Sequence, residues 1–185
     1  MKYQPTNPNP ASLLSSLRDI GYNIETAIED LIDNSITAKA IKIEIRMIWN
    51  KGNPWVAILD NGHGMSSLDL IKAMTLAGHN PLETRHKDDL GRFGLGLKTA
   101  SFSQCKQLTV ITFNNGSLSA AEIDLEEVNK NIDKGFRVGV LEDEDIKALS
   151  LSLLNDQFPE FLPSKKGTLV LWRKMDRIDH FDHID

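Results

Sequence analysis

Residues Asn23 to Ala38 read Asn-Ile-Glu-Thr-Ala-Ile-Glu-Asp-Leu-Ile-Asp-Asn-Ser-Ile-Thr-Ala. Ile24, Ala27, Ile28 and Leu31 recur at i, i+3, i+4 and i+7, the spacing of an amphipathic helix with one face in a core. Asp30 and Asn34 are spaced i, i+4, so they stack on one side of that helix. At roughly 100° per residue they fall on the border of the apolar stripe, beside the core. Glu29 lies on another flank and does not share a site with Asn34. A carboxylate stacked with a side-chain amide suits holding a hard cation and polarising a water. The same pair also fits an ordinary solvated helix face, so the rest of the chain decides.

Downstream, Ile41 to Met47 alternates strictly, as a strand with one wet face does. Trp55 to Leu59 is a second apolar strand that runs into the turn Asp60-Asn61-Gly62-His63-Gly64-Met65. Ser66 or Ser67 caps a helix through Leu70, Ile71 and Met74. Gly78 to Leu90 is a charged segment with no period, a loop of the length that is either functional or mobile. Leu108–Phe113 and Leu118–Ile123 flank Asn114-Asn115-Gly116, a hairpin signal. Phe136 to Leu141 reads as a strand, Glu142 to Phe158 as a helix with acids in its first turn, and Lys166 to Trp172 as a strong strand. Upstream, Ala11 to Gly21 reads as a short helix through Leu13, Leu14 and Leu17. Met1 to Pro10 holds three prolines and reads as an extended arm.

Strands come singly and in hairpins between helices. This predicts an α/β (α+β) two-layer sandwich: a mixed, mostly antiparallel sheet with helices on one face and solvent on the other. The 185 residues fit one domain, and the formal charge is -5. No dense run of Lys or Arg marks direct nucleic-acid binding. The one cysteine, Cys105, forms no internal disulfide and reads as a small buried residue. No apolar run approaches the length of a membrane span, and the start is unlike a secretory signal. A cytoplasmic location is the expectation.

Two glycine-broken turns carry the chemistry. In Asp60-x-Gly62-x-Gly64, a carboxylate ends a core strand, and such a group accepts hydrogen bonds from an exocyclic amine, as on adenine. An ordinary strand-end turn has the same composition. Gly91 to Lys98 is glycine-rich and then helical, so its backbone N–H groups form an anion nest, with Lys98 supplying a charge. It is not a Walker loop: Leu97 stands where the lysine belongs and Lys98 comes one place late. Gly-x-Gly-x-x-Gly does not occur, which disfavours a dinucleotide fold. Thr168, after Gly167, offers a hydroxyl or is an ordinary β-branched strand residue.

The ordered set Asp30-x-x-x-Asn34, Asp60-x-Gly62-x-Gly64, Gly91 to Lys98 and Gly167-Thr168 resembles the GHKL ATPases. Leu31 to Ala38 together with Gly91 to Lys98 looks most like the MORC and MutL side of that superfamily. The resemblance implies the Bergerat fold with ATP across the helical layer. It implies that Asn34 coordinates Mg2+ bridging the phosphates, that Asp60 binds the adenine amine with Thr168 assisting, and that Met65 packs on the base. Gly91, Gly94, Leu95, Gly96, Leu97 and Lys98 would wrap the phosphates, and residues 78–90 would form an ATP lid.

Two departures stand out. Asp30 falls where hydrolysing members carry glutamate, the general base for water; its arm is one methylene shorter, and positioning errors near 1 Å cost about 100-fold. The expectation is slow hydrolysis or another route to water. Thr37 replaces the aspartate usual before the motif's final alanine. The resemblance also implies a downstream or separate effector domain, with residues 11–175 as the ATP-binding domain and 176–185 as a tail leading on. ATP-dependent pairing of two copies is a further expectation. The alternatives are a sensor that binds ATP or ADP without turnover and the catalytic domain of a histidine-type protein kinase. Against the kinase stand Asp30 and the lack of a histidine ahead of His63.

Overall fold

The alternating run after the organising helix becomes β1 (Ile43–Ile48), at one edge of a sheet. A computed structural model describes residues 10–19, 21–76 and 96–177. Its other strands are β2 (Trp55–Asp60), β3 (Cys105–Asn114), β4 (Ser117–Asp124), β5 (Gly139–Val140) and β6 (Gly167–Met175). They lie in the order β1-β2-β6-β3-β4-β5, with each neighbouring pair antiparallel. The expected α/β sandwich with its mostly antiparallel sheet is present, and no parallel pair occurs among the described residues. The hairpins β1–β2 and β3–β4 are joined by β6, which inserts between them.

The helices are α1 (Pro10–Arg18), α2 (Ile24–Thr37), α3 (Ser67–Met74), α4 (Gly96–Gln104), α5 (Leu125–Lys130), α6 (Asp143–Leu149), α7 (Asn155–Gln157) and α8 (Phe161–Ser164). Asn23 caps α2 by accepting the Thr26 N–H at 2.8 Å, and Ser66 caps α3. Each supplies an acceptor to a helix N–H that has no partner within the helix.

Directly opposed residues on antiparallel strands share a face. On the near face, Val56, Trp172 and Leu108 form one row and Ile58, Val170 and Val110 the next. The third row is polar: Asp60, Thr168 and Thr112. The apolar rows carry Ala27 and Leu31 of α2, Leu70 and Met74 of α3, and Ala100 and Phe102 of α4. The core therefore ends where the row turns polar. Helix α4 is buried from Lys98 to Gln104, and the Trp172 indole N–H donates to Ser101 Oγ at 2.8 Å, pinning helix to sheet.

The far face differs in detail from the expectation of solvent there. Trp55, Ala57, Ile111, Phe113, Leu169 and Leu171 form a second core under Ile146, Leu149, Leu153, Leu154, Phe158 and Phe161. Phe113 and Phe161 meet edge to face at 5.4 Å. Odd-numbered residues of β2 and β6 are as apolar as even ones, which marks strands buried on both faces. The helix expected over Glu142–Phe158 is α6, a π-helical turn at Ser150–Leu154, and α7. The strand expected over Phe136–Leu141 shrinks to β5, and α5 and α8 are short helices without a periodic signal. Cys105 is buried, as expected, and burial pushes its thiol up. The arm before Pro10, the lid segment 78–90 and the tail from residue 178 lie outside the described residues. Among the described residues, no helix is long and apolar enough to cross a membrane.

Candidate functional site

Asp60 ends β2 with 6% of its surface exposed. Its carboxylate accepts the Gly62 N–H at 2.8 Å, the Ser35 hydroxyl at 3.1 Å and the Thr168 backbone N–H. Burial raises its pKa above the ordinary carboxylate value, and those three donors, with the charge of His63, oppose the rise. A carboxylate offers about four lone-pair sites. Among the described residues three donors reach it, which leaves acceptor capacity for one more.

Thr112 organises the rest of the polar row. Its Oγ1 accepts the Met65 N–H at 3.0 Å, and lies 2.9 Å from Thr168 Oγ1 and 3.3 Å from the Gly167 carbonyl oxygen. Thr112 has one proton for the Gly167 carbonyl or Thr168 Oγ1, and either hydroxyl of the Thr112–Thr168 pair can be the donor. Met65 is half-buried against the near-face core.

Two glycines make this packing possible. Gly64 has φ +66°, and a Cβ there would stand 1.9 Å from the Phe113 carbonyl oxygen. Gly167 has φ +97°, and its Cβ would stand 1.8 Å from the Asp60 carbonyl oxygen. Both positions require a residue without a side chain. Gly62 is buried and holds Asp60 through its N–H.

Along α2, Asp30 is half-buried and Asn34 exposed. Asp30 Oδ2 accepts the Tyr22 hydroxyl at 2.9 Å. A Cβ on Gly96, the first residue of α4, would lie 3.9 Å from that oxygen, an ordinary contact. The carboxylate thus faces the start of α4, where helix N–H groups are unpaired within the helix. Leu97 is half-buried on the core. Lys98 is fully buried, and its ammonium donates to the Ala73 carbonyl at 2.5 Å, in the last turn of α3. Burial lowers its pKa to about 8. Gly91, Gly94 and Leu95 lie outside the described residues.

The structure therefore joins Asp60, Gly62, Gly64, Met65 and Thr168 in one polar cluster and sets Asp30 beside Gly96. Ser35 bridges the two, because it sits on α2 next to Asn34 and holds Asp60. Three contributors escaped the sequence reading: Ser35, Thr112 and Tyr22. Ser35 continues the apolar stripe four residues after Leu31, and Thr112 continues the inward series Leu108, Val110; a polar residue in a buried series is the signal. Tyr22 carries no such signal. Thr37, where the resemblance expects aspartate, buries its hydroxyl without a hydrogen-bond partner among the described residues. A separate cavity of about 800 Å³ opens on the far face beside Glu122, Arg137, Leu149 and Arg173, away from all these residues.

A family model described as "Histidine kinase-, DNA gyrase B-, and HSP90-like ATPase" matches residues 22–157. The chain belongs to this family of GHKL-type ATPases. Its relatives include "DNA mismatch repair protein MutL" of Thermosipho africanus, 36% identical over 98 residues, 51% of this chain and 16% of that one. "ATPase morc-1" of Caenorhabditis elegans is 28% identical over 95 residues, 51% of this chain and 11% of that one. A further MutL, from Pelobacter propionicus, is 29% identical over 127 residues, 69% of this chain and 19% of that one. The match spans less than a fifth of each of these relatives.

The donor set of this GHKL-type domain fits a nucleotide with a hard cation. Among the described residues, no group of three or more His, Cys, Asp or Glu side chains is placed to hold a metal. Mg2+ is commonly held through one or two protein oxygens, with phosphate oxygens and waters filling the shell. The exposed Asn34 amide oxygen suits such a minimal share.

Proposed function

We propose that this domain binds Mg-ATP and hydrolyses it slowly to ADP and phosphate. The observation that carries this reading is the row Asp60–Thr168–Thr112, a buried carboxylate and two paired hydroxyls where the apolar core stops. Asp60 takes the adenine amine with its remaining acceptor site, Thr168 assists, and Met65 packs on the base. Gly62 and Gly64 let the turn seat beneath the purine. Asn34 holds Mg2+, which neutralises the phosphates when bound. Gly91, Gly94, Leu95, Gly96, Leu97 and Lys98 carry the phosphate end. Lys98 reaches a phosphate by exchanging the Ala73 carbonyl for it. Asp30 takes the proton of the attacking water.

The nucleotide state is read out through the lid at 78–90 and through contacts with a second copy or an effector domain. Calorimetry with ATP, with and without Mg2+, tests the site. Asp60→Asn should weaken binding about 10- to 100-fold in both conditions, the worth of one hydrogen bond to a charged group. Asn34→Ala should remove chiefly the Mg2+-dependent part. An unaltered chain that binds no adenine nucleotide refutes the reading. The shorter arm of Asp30 favours a second reading, a nucleotide sensor without turnover. Equal turnover by Asp30→Asn and the unaltered chain would mean that Asp30 is no general base, and absence of turnover with ATP bound would support the sensor.

A further inference from the structure

Tyr22 stands just ahead of α2, between Gly21 and the capping residue Asn23. It is fixed at both ends. Its carbonyl accepts Gln104 Nε2 at 3.1 Å, and Gln104 is 3% exposed at the end of α4. Its ring packs on the near-face core. Its hydroxyl donates to Asp30 Oδ2 at 2.9 Å and is bonded in turn by the Thr99 side chain of α4. The result is a chain of hydroxyl contacts running from α4 to the carboxylate on α2. Among the described residues, Tyr22 is the side chain seen to hold Asp30.

We infer that Tyr22 is a positioning residue for Asp30, fixing the short carboxylate against the start of α4 so that its second oxygen meets the attacking water. An aspartate carboxylate turns about two side-chain torsions. A hydrogen bond from a tyrosine anchored in backbone and core removes that freedom at one oxygen and leaves the other for a water. A misplacement of about 1 Å costs on the order of 100-fold in rate. The tie to Thr99 makes the aim of the base depend on α4, the helix that follows the phosphate-binding turn. This inference rests on the reading of Asp30 as general base.

The test is Tyr22→Phe, which keeps the packed ring and removes only the hydroxyl, compared with Asp30→Asn and the double variant. ATP affinity is read by calorimetry and turnover by phosphate release. Tyr22→Phe should lower kcat roughly 10- to 100-fold and leave KM and ATP affinity within about 2-fold. In the Asp30→Asn background the same change should cost nothing further, because a positioning residue acts only through what it positions. Full kcat in Tyr22→Phe, or an equal loss with and without the Asp30 carboxylate, overturns the inference while ATP binding and Asp30-dependent turnover stand. Turnover indifferent to Asp30→Asn overturns the general-base reading and this inference with it. Absence of ATP binding overturns the proposed function itself.

Discussion

Asp60 is asked to do two opposed things: stay buried and stay an acceptor. Removal from water favours its protonated form, and the Gly62 N–H, the Ser35 hydroxyl and the Thr168 N–H pull the other way without cancelling the rise. The linkage sign follows. Between the ordinary carboxylate value and the raised folded value, the folded chain holds a proton that the unfolded chain has released. The folded state binds more protons there, so stability falls as pH rises through that window and levels off above it. Asp60→Asn, whose amide oxygen still accepts from Gly62, removes this slope. Melting temperatures measured from about pH 4 upward should therefore show the unaltered chain losing ground to Asp60→Asn and then running parallel. Curves parallel throughout would mean that Asp60 titrates as it does in the unfolded chain. Thr37 shows the reverse situation, a buried hydroxyl with no described partner to satisfy it.

At the scale of elements, the glycine-broken turns serve different ends, and two glycines separate them. Gly64 lies in the left-handed region with the Phe113 carbonyl against it, so Gly64→Ala meets both backbone strain and a clash with main chain that cannot swing away. The cost should be about 2–6 kcal/mol, summing strain and overpacking, and it should appear as a large drop in melting temperature. Among the described residues, Asp30 Oδ2 at 3.9 Å is the one atom within 4 Å of a Cβ built on Gly96. Gly96→Ala should therefore keep its melting temperature within a few degrees while turnover falls, because the methyl stands against the proposed base. A folded Gly64→Ala, or an unfolded Gly96→Ala, would reverse the assignment. The same contrast explains what the sequence could tell. The period of α2, the alternation of β1 and the apolar runs of β2 and β6 were legible because each answers to one repeating contact with the core. Ser35 and Thr112 were legible in principle as polar residues in buried series. Tyr22 was not, because its partner lies eight residues on and the approach depends on how the chain enters α2. The cover on the far face was half legible: α6 had its apolar side, yet only the packed molecule shows that this side lies on Trp55, Phe113 and Leu171 rather than on the near face.

Across the whole molecule, the site is assembled from segments that share little sequence proximity. Asp30 and Ser35 come from α2, Asp60 from β2, Gly96 from α4, Thr112 from β3 and Thr168 from β6. The frame that brings them together closes on itself at its described ends: Arg18 of α1 pairs with Asp176 just after β6, and Arg177 reaches Asp19 at 2.6 Å and the Arg18 carbonyl. A ligand touching all those elements has no counterpart site in the unfolded chain, so its binding free energy adds to global stability rather than to one loop. At a free ligand concentration of about 100 Kd that gain is about 2.7 kcal/mol. For a chain of this size each kcal/mol moves the melting temperature by roughly 2–4 °C, so Mg-ATP should raise it by about 5–10 °C. Asp60→Asn at the same ATP concentration should show a smaller rise, because its occupancy at that concentration is lower. The denaturant m-value should stay the same in both, since the surface exposed on unfolding is unchanged. A rise equal in Asp60→Asn would place the nucleotide elsewhere on the molecule, away from the row where the core turns polar.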